Sequence, residues 1–447
     1  MNKVLLITLE PIGNRMAGPA IRCFELGKQV ARHMPATVYS PYKIDNIPHA
    51  LAGDCQFVSG GSKKSMLTLA AQHDILIIQA NVLKQYPQLT KLQKFLVVDL
   101  YDPFLFNIHI QYANQPPAIA SASFRLMHKL LEKHMLAADF TICASERQRD
   151  YWLGRFCAMG RINPALHNFD PSLRKLIDVV PFGLPETAPH VNVHASGVGP
   201  RAMFAKIKKE DPIILWAGGI WDWLDPLTVI KAMALLNKKF PNIRLVFMGK
   251  KSPNPQVDVM SMVKQAENLA DELGLLDENV FFSQDWISYQ ERSNFLLEAN
   301  IGISAHFDLP ETRFSFRTRL LDYFWANLPI ITTKGDEMAD LIEAKGAGFA
   351  LDYQDVNAWA DCLAQLLSEP DLQQHCRLAA KTLAESFTWD RVSRPLLNYC
   401  ENPYHLPDYI PVTMPNLIER ANSVYHRGGK ELIFAKAKQM IKEIMPG

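Results

Sequence analysis

Residues 312–336 read TRFSFRTRLLDYFWANLPIITTKGD. Just upstream, the apolar run IGIS at 301–304 has the length of a buried strand. A loop follows, and the spacing predicts a helix from Phe316, N-capped by Ser315, to about Asn327. Pro329 then opens a second apolar run, Ile330–Thr333. Strand, helix and strand in this order form the repeating unit of a parallel sheet. At about 100° per residue, Ser315, Thr318, Arg319 and Asp322 share one helix face, while Leu320, Leu321 and Phe324 point into a core. The free amides of Phe316, Arg317 and Thr318 make a ready anion site at the helix start. Arg317 and Arg319 add guanidinium groups suited to bidentate phosphate contacts. Asp322 lies about one turn further in, where a carboxylate can accept hydrogen bonds from ribose hydroxyls. The plainer alternative is a capped helix with solvated arginines.

Outward from this segment the same alternation fills the chain. Strands are expected at Val4–Leu9, Thr37–Tyr39, Ile75–Gln79, Phe95–Asp99, Phe140–Cys143 and Val179–Pro181. A second set falls at Ile213–Ala217, Arg244–Gly249, Val280–Phe282, Ile301–Ser304, Ile330–Thr333 and Phe349–Leu351. Helical patterns such as 20–33, 125–137, 226–238 and 355–368 separate them. This predicts an α/β protein of two Rossmann-like domains facing a cleft at the carboxyl ends of their strands. The domains are placed at 1–185 and 211–387. A Pro/Gly/Ser-rich linker, GLPETAPHVNVHASGVGP from Gly183, leads into residues 186–210. Residues 388–447 are expected to cross back to the first domain. The final helix, roughly Gly429–Met445, carries Lys430, Lys436, Lys438 and Lys442 beside an apolar stripe. It fits either packing on the body of the protein or peripheral contact with an anionic membrane.

Composition bounds the function. The 447 residues hold 47 Lys+Arg against 46 Asp+Glu, a net charge of +1, with 48% hydrophobic residues. That balance gives no general attraction to nucleic acid. No apolar stretch is long enough to span a bilayer, and MNKVLLITLE at the start reads as a first strand, not a signal peptide. Seven scattered cysteines without a C-x-x-C pair argue against a disulfide framework or zinc site and for a reducing, cytoplasmic setting. The P-loop, the dinucleotide G-x-G-x-x-G, the G-x-S-x-G elbow and H-E-x-x-H are all missing. So is the D-x-D of metal-dependent sugar transferases.

With those classes set aside, Leu321–Ile331 (LDYFWANLPII) resembles the helix LEAMACGLPVI that closes the E-x7-E signature of retaining GT-B glycosyltransferases of family 4 type. The resemblance implies a nucleotide-diphosphate sugar as donor, an acceptor hydroxyl on a glycan or glycolipid, retention of anomeric configuration, and no metal or other cofactor. Asp322 falls on the second glutamate, which holds the ribose. The first falls on Phe314, with Glu311 three residues earlier as the substitute. Other segments extend the likeness. DVVPFGLP (178–185) resembles the end of the family's first domain. ILWAGGIWDWLDPLTVIKAMALL (214–236) resembles the strand, glycine turn (Gly218, Gly219) and helix that open the second. There Asp225 caps and Pro226 takes the first helical position. The family's Arg and Lys, which grip the diphosphate, align with Gly219 and Leu224, so both charges are missing. Arg317, Arg319 and Lys250 (in VFMGKKSPNP) are the replacement cations. QDWISYQERSNFLLEANIGIS (284–304) resembles the base-holding loop, with Trp286 and Ile287 beside the nucleobase. Trp221 and Trp223 could line the cleft or pack the core.

In the first half, PIGNRMAGPAIRCFELGKQVA (11–31) follows the first strand. Gly18 and Pro19 start a helix whose amides face the cleft, and Arg15 and Arg22 are candidate anion contacts. VVDLYDPF (97–104) ends a strand with two carboxylates. Asp102 is the candidate general base toward the acceptor, with an Asp-Pro turn as the alternative; Asp99 is read as structural. In ASERQRDYW (144–152), Ser145 caps a helix with Gln148, and Glu146 and Arg147 could touch the acceptor. Arg317 and Asp102 thus carry the chemistry in this reading. A non-catalytic nucleotide-sugar-binding or scaffold protein on the same fold is the alternative.

Overall fold

The computed structural model describes residues 1–44, 47, 52–79, 81–111, 115–192, 197–255 and 257–412, with isolated positions up to 435. Two all-parallel sheets organise it. The first contains β1 (Val4–Ile7), β2 (Ala36–Ser40), β3 (Gln56–Ser59), β4 (Ile75–Gln79), β5 (Phe95–Asp99), β6 (Phe140–Cys143) and β7 (Ile177–Val179), in the order β3-β2-β1-β4-β5-β6-β7. The second contains β8 (Ile213–Trp216), β9 (Arg244–Phe247), β10 (Val280–Phe282), β11 (Ile301–Ser304), β12 (Ile330–Thr333) and β13 (Gly348–Leu351), in the order β10-β9-β8-β11-β12-β13. Inner strands such as β1, β8 and β11 are buried at every position. Helices cover both faces, which is why these strands read as unbroken apolar runs.

The strand expectations hold, with two differences. β3 was not foreseen: QFVS is largely exposed at the sheet edge and carries no strong apolar signal. β7 begins two residues before its expected start. The amide of Val180 still bonds the Cys143 carbonyl, and Pro181, lacking an N–H, ends the ladder. Asp225 caps the helix Pro226–Leu236, accepting from the Thr228 amide at 3.1 Å. After the second domain come two short helices, Trp389–Val392 and Arg394–Glu401, with Pro395 in the first turn of the second. They pack on the first domain: the Leu184 and Trp389 amides bond Phe387 and Leu184 carbonyls, and Tyr399 stacks on Phe140. The basic helix expected at roughly Gly429–Met445 lies mostly outside the described residues. No helix among the described residues is long and apolar enough to cross a membrane.

Each sheet reverses its strand order once, between β1 and β4 in the first and between β8 and β11 in the second. Loops leaving these strands diverge and open a crevice at each switch point. The two crevices face one another and form a single cleft.

Tyr323 fixes the second crevice. Its fully buried ring lies on Gly302 of β11, where any Cβ would sit 2.4 Å from the ring. Its hydroxyl accepts from the Ala217 amide at 2.8 Å and lies within donating distance of the Leu215 (2.8 Å) and Ile303 (2.7 Å) carbonyls. One phenol thereby ties the ends of β8 and β11 together. Tyr323→Phe leaves the buried Ala217 amide unpaired and is expected to cost about 1–3 kcal/mol. A lower thermal midpoint would register it, and an unchanged midpoint would show the hydroxyl to be dispensable.

Candidate functional site

The cleft holds a cavity of about 510 Å³, within the usual range for small-molecule sites. Its walls come from both domains: Glu10, Met16–Pro19, Asn81 and Tyr101–Phe104 from the first, Ala217–Gly219, Trp286–Tyr289, Glu311 and Ser315–Arg319 from the second. Of the residues singled out in the sequence, Asp102, Arg317, Gly18, Gly218, Gly219, Trp286, Ile287, Glu311, Ser315, Phe316, Thr318, Arg319 and Asp322 all line it. Trp221 and Trp223 do so as well, stacked with ring centroids 5.4 Å apart.

Lys250 does not belong to the cavity wall. Its ammonium is held by Glu267 at 2.5 Å, which removes it from the set of replacement cations. Ser315 is not a helix cap either. A separate short helix, Pro310–Phe314, precedes it, and the following helix starts at Thr318 with Arg317 as an N-cap that makes no side-chain bond. The Ser315 hydroxyl instead turns back to the Glu311 carbonyl (3.0 Å) and carboxylate. Phe316 and Arg317 therefore sit in the loop between the helices, and the amides at the helix start are those of Thr318 and Arg319.

Arg317 also differs from expectation. It is 7% exposed and forks onto the Glu311 carboxylate at 2.8 and 3.2 Å, with its Nε 3.5 Å from Asp336. Asp336 is fully buried and caps the next helix through the Ala339 amide at 2.8 Å; burial pushes its carboxyl up to about 6. Buried His306 lies in the same field, and its burial, with Arg317 nearby, holds it well below the usual imidazole range. Arg317 is thus committed to two buried carboxylates and has little left to offer an incoming phosphate.

Arg319 is placed otherwise. One nitrogen donates to the Gly219 carbonyl at 2.9 Å and the guanidinium lies 4.8 Å from the Trp216 ring centre. Its other terminal nitrogen, Nη1, is buried without a hydrogen-bond partner, and no carboxylate pairs with it among the described residues. Burial lowers it to about 10. It stands beside Gly219, the position at which the family resemblance implies a basic residue. Gly218 has φ +82°, a left-handed turn that favours glycine. At Gly219 a Cβ would come within 3.1 Å of Trp286. The turn therefore needs small residues where Arg319 approaches.

Asp102 projects from the loop after β5 and is half-buried. Burial, then the nearby Glu311 carboxylate, raises it to about 7, with Arg317 pulling the other way. A carboxyl poised there can exchange a proton near neutrality. Asp322 pairs with Arg292 at 3.2 Å, and its burial raises its carboxyl. Asp99 is structural, as read: Arg22 grips it through two bonds of 2.7 and 3.0 Å, both side chains fully buried or nearly so. That pairing removes Arg22 from anion binding. Arg15 pairs with Asp285 at the surface, Glu146 with Arg174, and Arg147 with Asp340 and the Gly335 carbonyl; none of the three lines the cavity. Arg147 is a strut between the domains, as is Gln148, whose amide donates to the Tyr101 and Phe314 carbonyls at 2.8 and 2.9 Å. Trp286 donates across the cleft to the Met16 carbonyl at 3.1 Å.

Glu10, Tyr101, Tyr289 and Arg292 line the cavity but were not singled out as site residues. The only hint for Arg292 is a charge at the start of the otherwise apolar helical run NFLL. Among the described residues no group of three or more His, Cys, Asp or Glu is arranged to hold a metal ion. The buried network gives a direct test. Arg317→Ala strands two carboxylates and is expected to destabilise the fold by about 3–5 kcal/mol, measured by denaturant or thermal melting. A stable variant that had lost only ligand binding would return Arg317 to the ligand.

Comparison with known proteins agrees with this architecture. Residues 202–383 match the family described as glycosyl transferases group 1. A D-inositol 3-phosphate glycosyltransferase of Corynebacterium urealyticum is 24% identical over 206 residues, 44% of this chain and 45% of that protein. The enzyme of the same name from Saccharomonospora viridis is 21% identical over 233 residues, 51% and 52% of the two chains. The chain thus spans about half the length of the curated relatives it matches. Among solved structures, sucrose-phosphate synthase from Thermosynechococcus elongatus superposes with a TM-score of 0.64 at 14% identity, covering 90% of this chain and 98% of that one. Anabaena HepE, solved in complex with UDP and glucose, gives 0.65 at 14% identity, covering 90% and 100%. The chain therefore has the GT-B fold over about nine-tenths of its length, and its residues 202–383 match the group 1 glycosyltransferase family.

Proposed function

We propose that this protein is a retaining, metal-independent glycosyltransferase that moves a sugar from a nucleoside-diphosphate donor to an acceptor hydroxyl. The observation that carries this reading is Arg319: a cavity-lining guanidinium with a buried, unpartnered nitrogen, beside the glycine turn of the second domain. A buried cation without a carboxylate is costly unless an anion completes it. A diphosphate docked against Arg319 and the Thr318 and Arg319 amides supplies that anion. Asp322 would take the ribose, Trp286 and Ile287 would flank the base, and Gly18 leaves room for the acceptor or the donor phosphate on the opposite wall. Retention follows the group 1 likeness. Independence of a metal is consistent with cations and helix amides placed to stabilise the leaving group.

In the reaction, the bond from the anomeric carbon to the diphosphate oxygen breaks, and its electron pair leaves with the nucleoside diphosphate. The acceptor oxygen bonds the anomeric carbon on the same face, and Asp102 receives or orients its proton. The contacts between domains shield the bond being broken from water. The named relatives and neighbours, which include D-inositol 3-phosphate glycosyltransferases and a protein solved with UDP and glucose, support a sugar nucleotide as donor and a hydroxylated acceptor. We place the acceptor among the glycans or glycolipids of bacterial glycan synthesis, with the protein in the cytoplasm or at the inner membrane face.

Turnover separates this reading from a binding-only scaffold. Purified protein incubated with UDP- and GDP-sugars should release nucleoside diphosphate slowly, by transfer or hydrolysis. Arg319→Ala should lower that rate by about 10²–10³-fold with an unchanged melting profile. Binding without release would favour the scaffold. The rate should also depend on pH. Asp102 accepts a proton only when ionised, so activity should climb with pH through an apparent value near 7 and level off above it. In Asp102→Asn this limb should vanish; a wild-type profile in that variant would assign the proton transfer elsewhere.

A further inference from the structure

Arg292 is a buried cation of the cavity wall. It is 9% exposed, and its Nε donates to Asp322 Oδ1 at 3.2 Å while Nη1 donates to the Tyr289 carbonyl. Its guanidinium lies between two aromatic rings, 3.9 Å from the Tyr289 centre and 4.6 Å from that of Trp325. Both rings are anchored in turn. Trp325 donates to the Thr187 carbonyl at 2.7 Å. The Tyr289 hydroxyl donates to Glu25 of the first domain at 3.1 Å, and its amide to the Asn14 carbonyl at 2.8 Å. A planar group stacked on two fixed rings cannot swing out to meet a phosphate.

We propose that Arg292 is a positioning residue that holds the Asp322 carboxylate in the orientation needed to receive the ribose hydroxyls of the donor. The inference rests on the nucleotide-sugar reading above and adds the device that sets the sugar-ring selectivity of that site. An ionised carboxylate has acceptor sites on both oxygens. Engaging Oδ1 fixes the side chain and leaves Oδ2 directed at the ligand. Burial alone would favour protonating Asp322 and spoil it as an acceptor; Arg292 opposes this. The Tyr289 ring that supports Arg292 is itself tethered to Glu25 and Asn14, so the arrangement is complete only with the two domains together.

The test is ribose discrimination by the full-length protein. Titration calorimetry with UDP and GDP, and with their 2′-deoxy and 3′-deoxy forms, should show wild type preferring at least one ribose form over its deoxy analogues. Arg292→Gln should raise the Kd of the ribose form about tenfold and erase most of that preference. Arg292→Lys retains charge without the flat, stacked fork and should fall between the two; it also serves if the glutamine variant folds poorly. In a double-mutant cycle with Asp322→Asn the two losses should be strongly non-additive. A variant that binds the nucleotide with wild-type discrimination, or losses that simply add, would overturn the role of Arg292 while leaving the donor site in place. A wild-type protein that binds no nucleoside diphosphate would overturn the underlying reading instead, and one indifferent to the ribose hydroxyls would remove both Asp322 and Arg292 from ribose recognition.

Discussion

A guanidinium buried between two carboxylates organises the reacting end of this cleft. Arg317 is removed from water and answers Glu311 and Asp336 together. A buried charge can persist only with such compensation. Meeting it folds residues 315–317 back over the short helix Pro310–Phe314 and delays the next helix to Thr318. Asp336 at the same time caps the helix that follows β12, so one network ties three successive elements of the second domain. Burial first, and then Glu311, held in place by Arg317, raise the Asp102 carboxyl in the first domain to about 7. The charges of the second domain thereby adjust the acid–base character of a group supplied by the first.

The domains share one hydrophobic cluster, and directional contacts join them at the cleft. Gln148 reaches the Phe314 carbonyl, Trp286 reaches Met16, Tyr289 reaches Asn14 and Glu25, and Arg147 reaches Gly335 and Asp340. Phe106 stacks on Phe314 and Tyr151 meets it at a tilt at the same boundary. Such bonds are individually modest and can be remade. Several of them fall on residues that also line the cavity, so occupancy and domain approach act on the same side chains. In the proposed function such an arrangement would let the site admit two substrates and then exclude water.

The placement of basic residues differs from what the family resemblance implies. The group 1 resemblance places basic residues in the loop after β8, and this chain has Gly219 and Leu224 there. The structure brings Arg319, from a helix about a hundred residues later, to the Gly219 carbonyl. A guanidinium from another element thus stands where the resemblance implies a loop cation, and the glycines of the turn leave room for it. In the proposed function this guanidinium carries the electrostatic load that the family assigns to the lost pair.

The sequence by itself determined the elements and their order. Buried parallel strands are short, continuous apolar runs, and helix starts such as Asp225–Pro226 carry their own local chemistry, so both are legible without neighbours. Most of the residues it picked out do line the cavity, because the carboxyl ends of strands in an α/β sheet converge on one crevice. It could not show which charges were already spent. Arg22, Arg317 and Lys250 read as free cations in one dimension; each is neutralised by a carboxylate 6 to 77 residues away in the chain, Glu311 at the near end and Asp99 at the far. Arg292 drew no notice because its importance lies in two rings and one carboxylate that only folding assembles around it. Pairing and burial depend on distances in space, and those were decided by the tertiary structure alone.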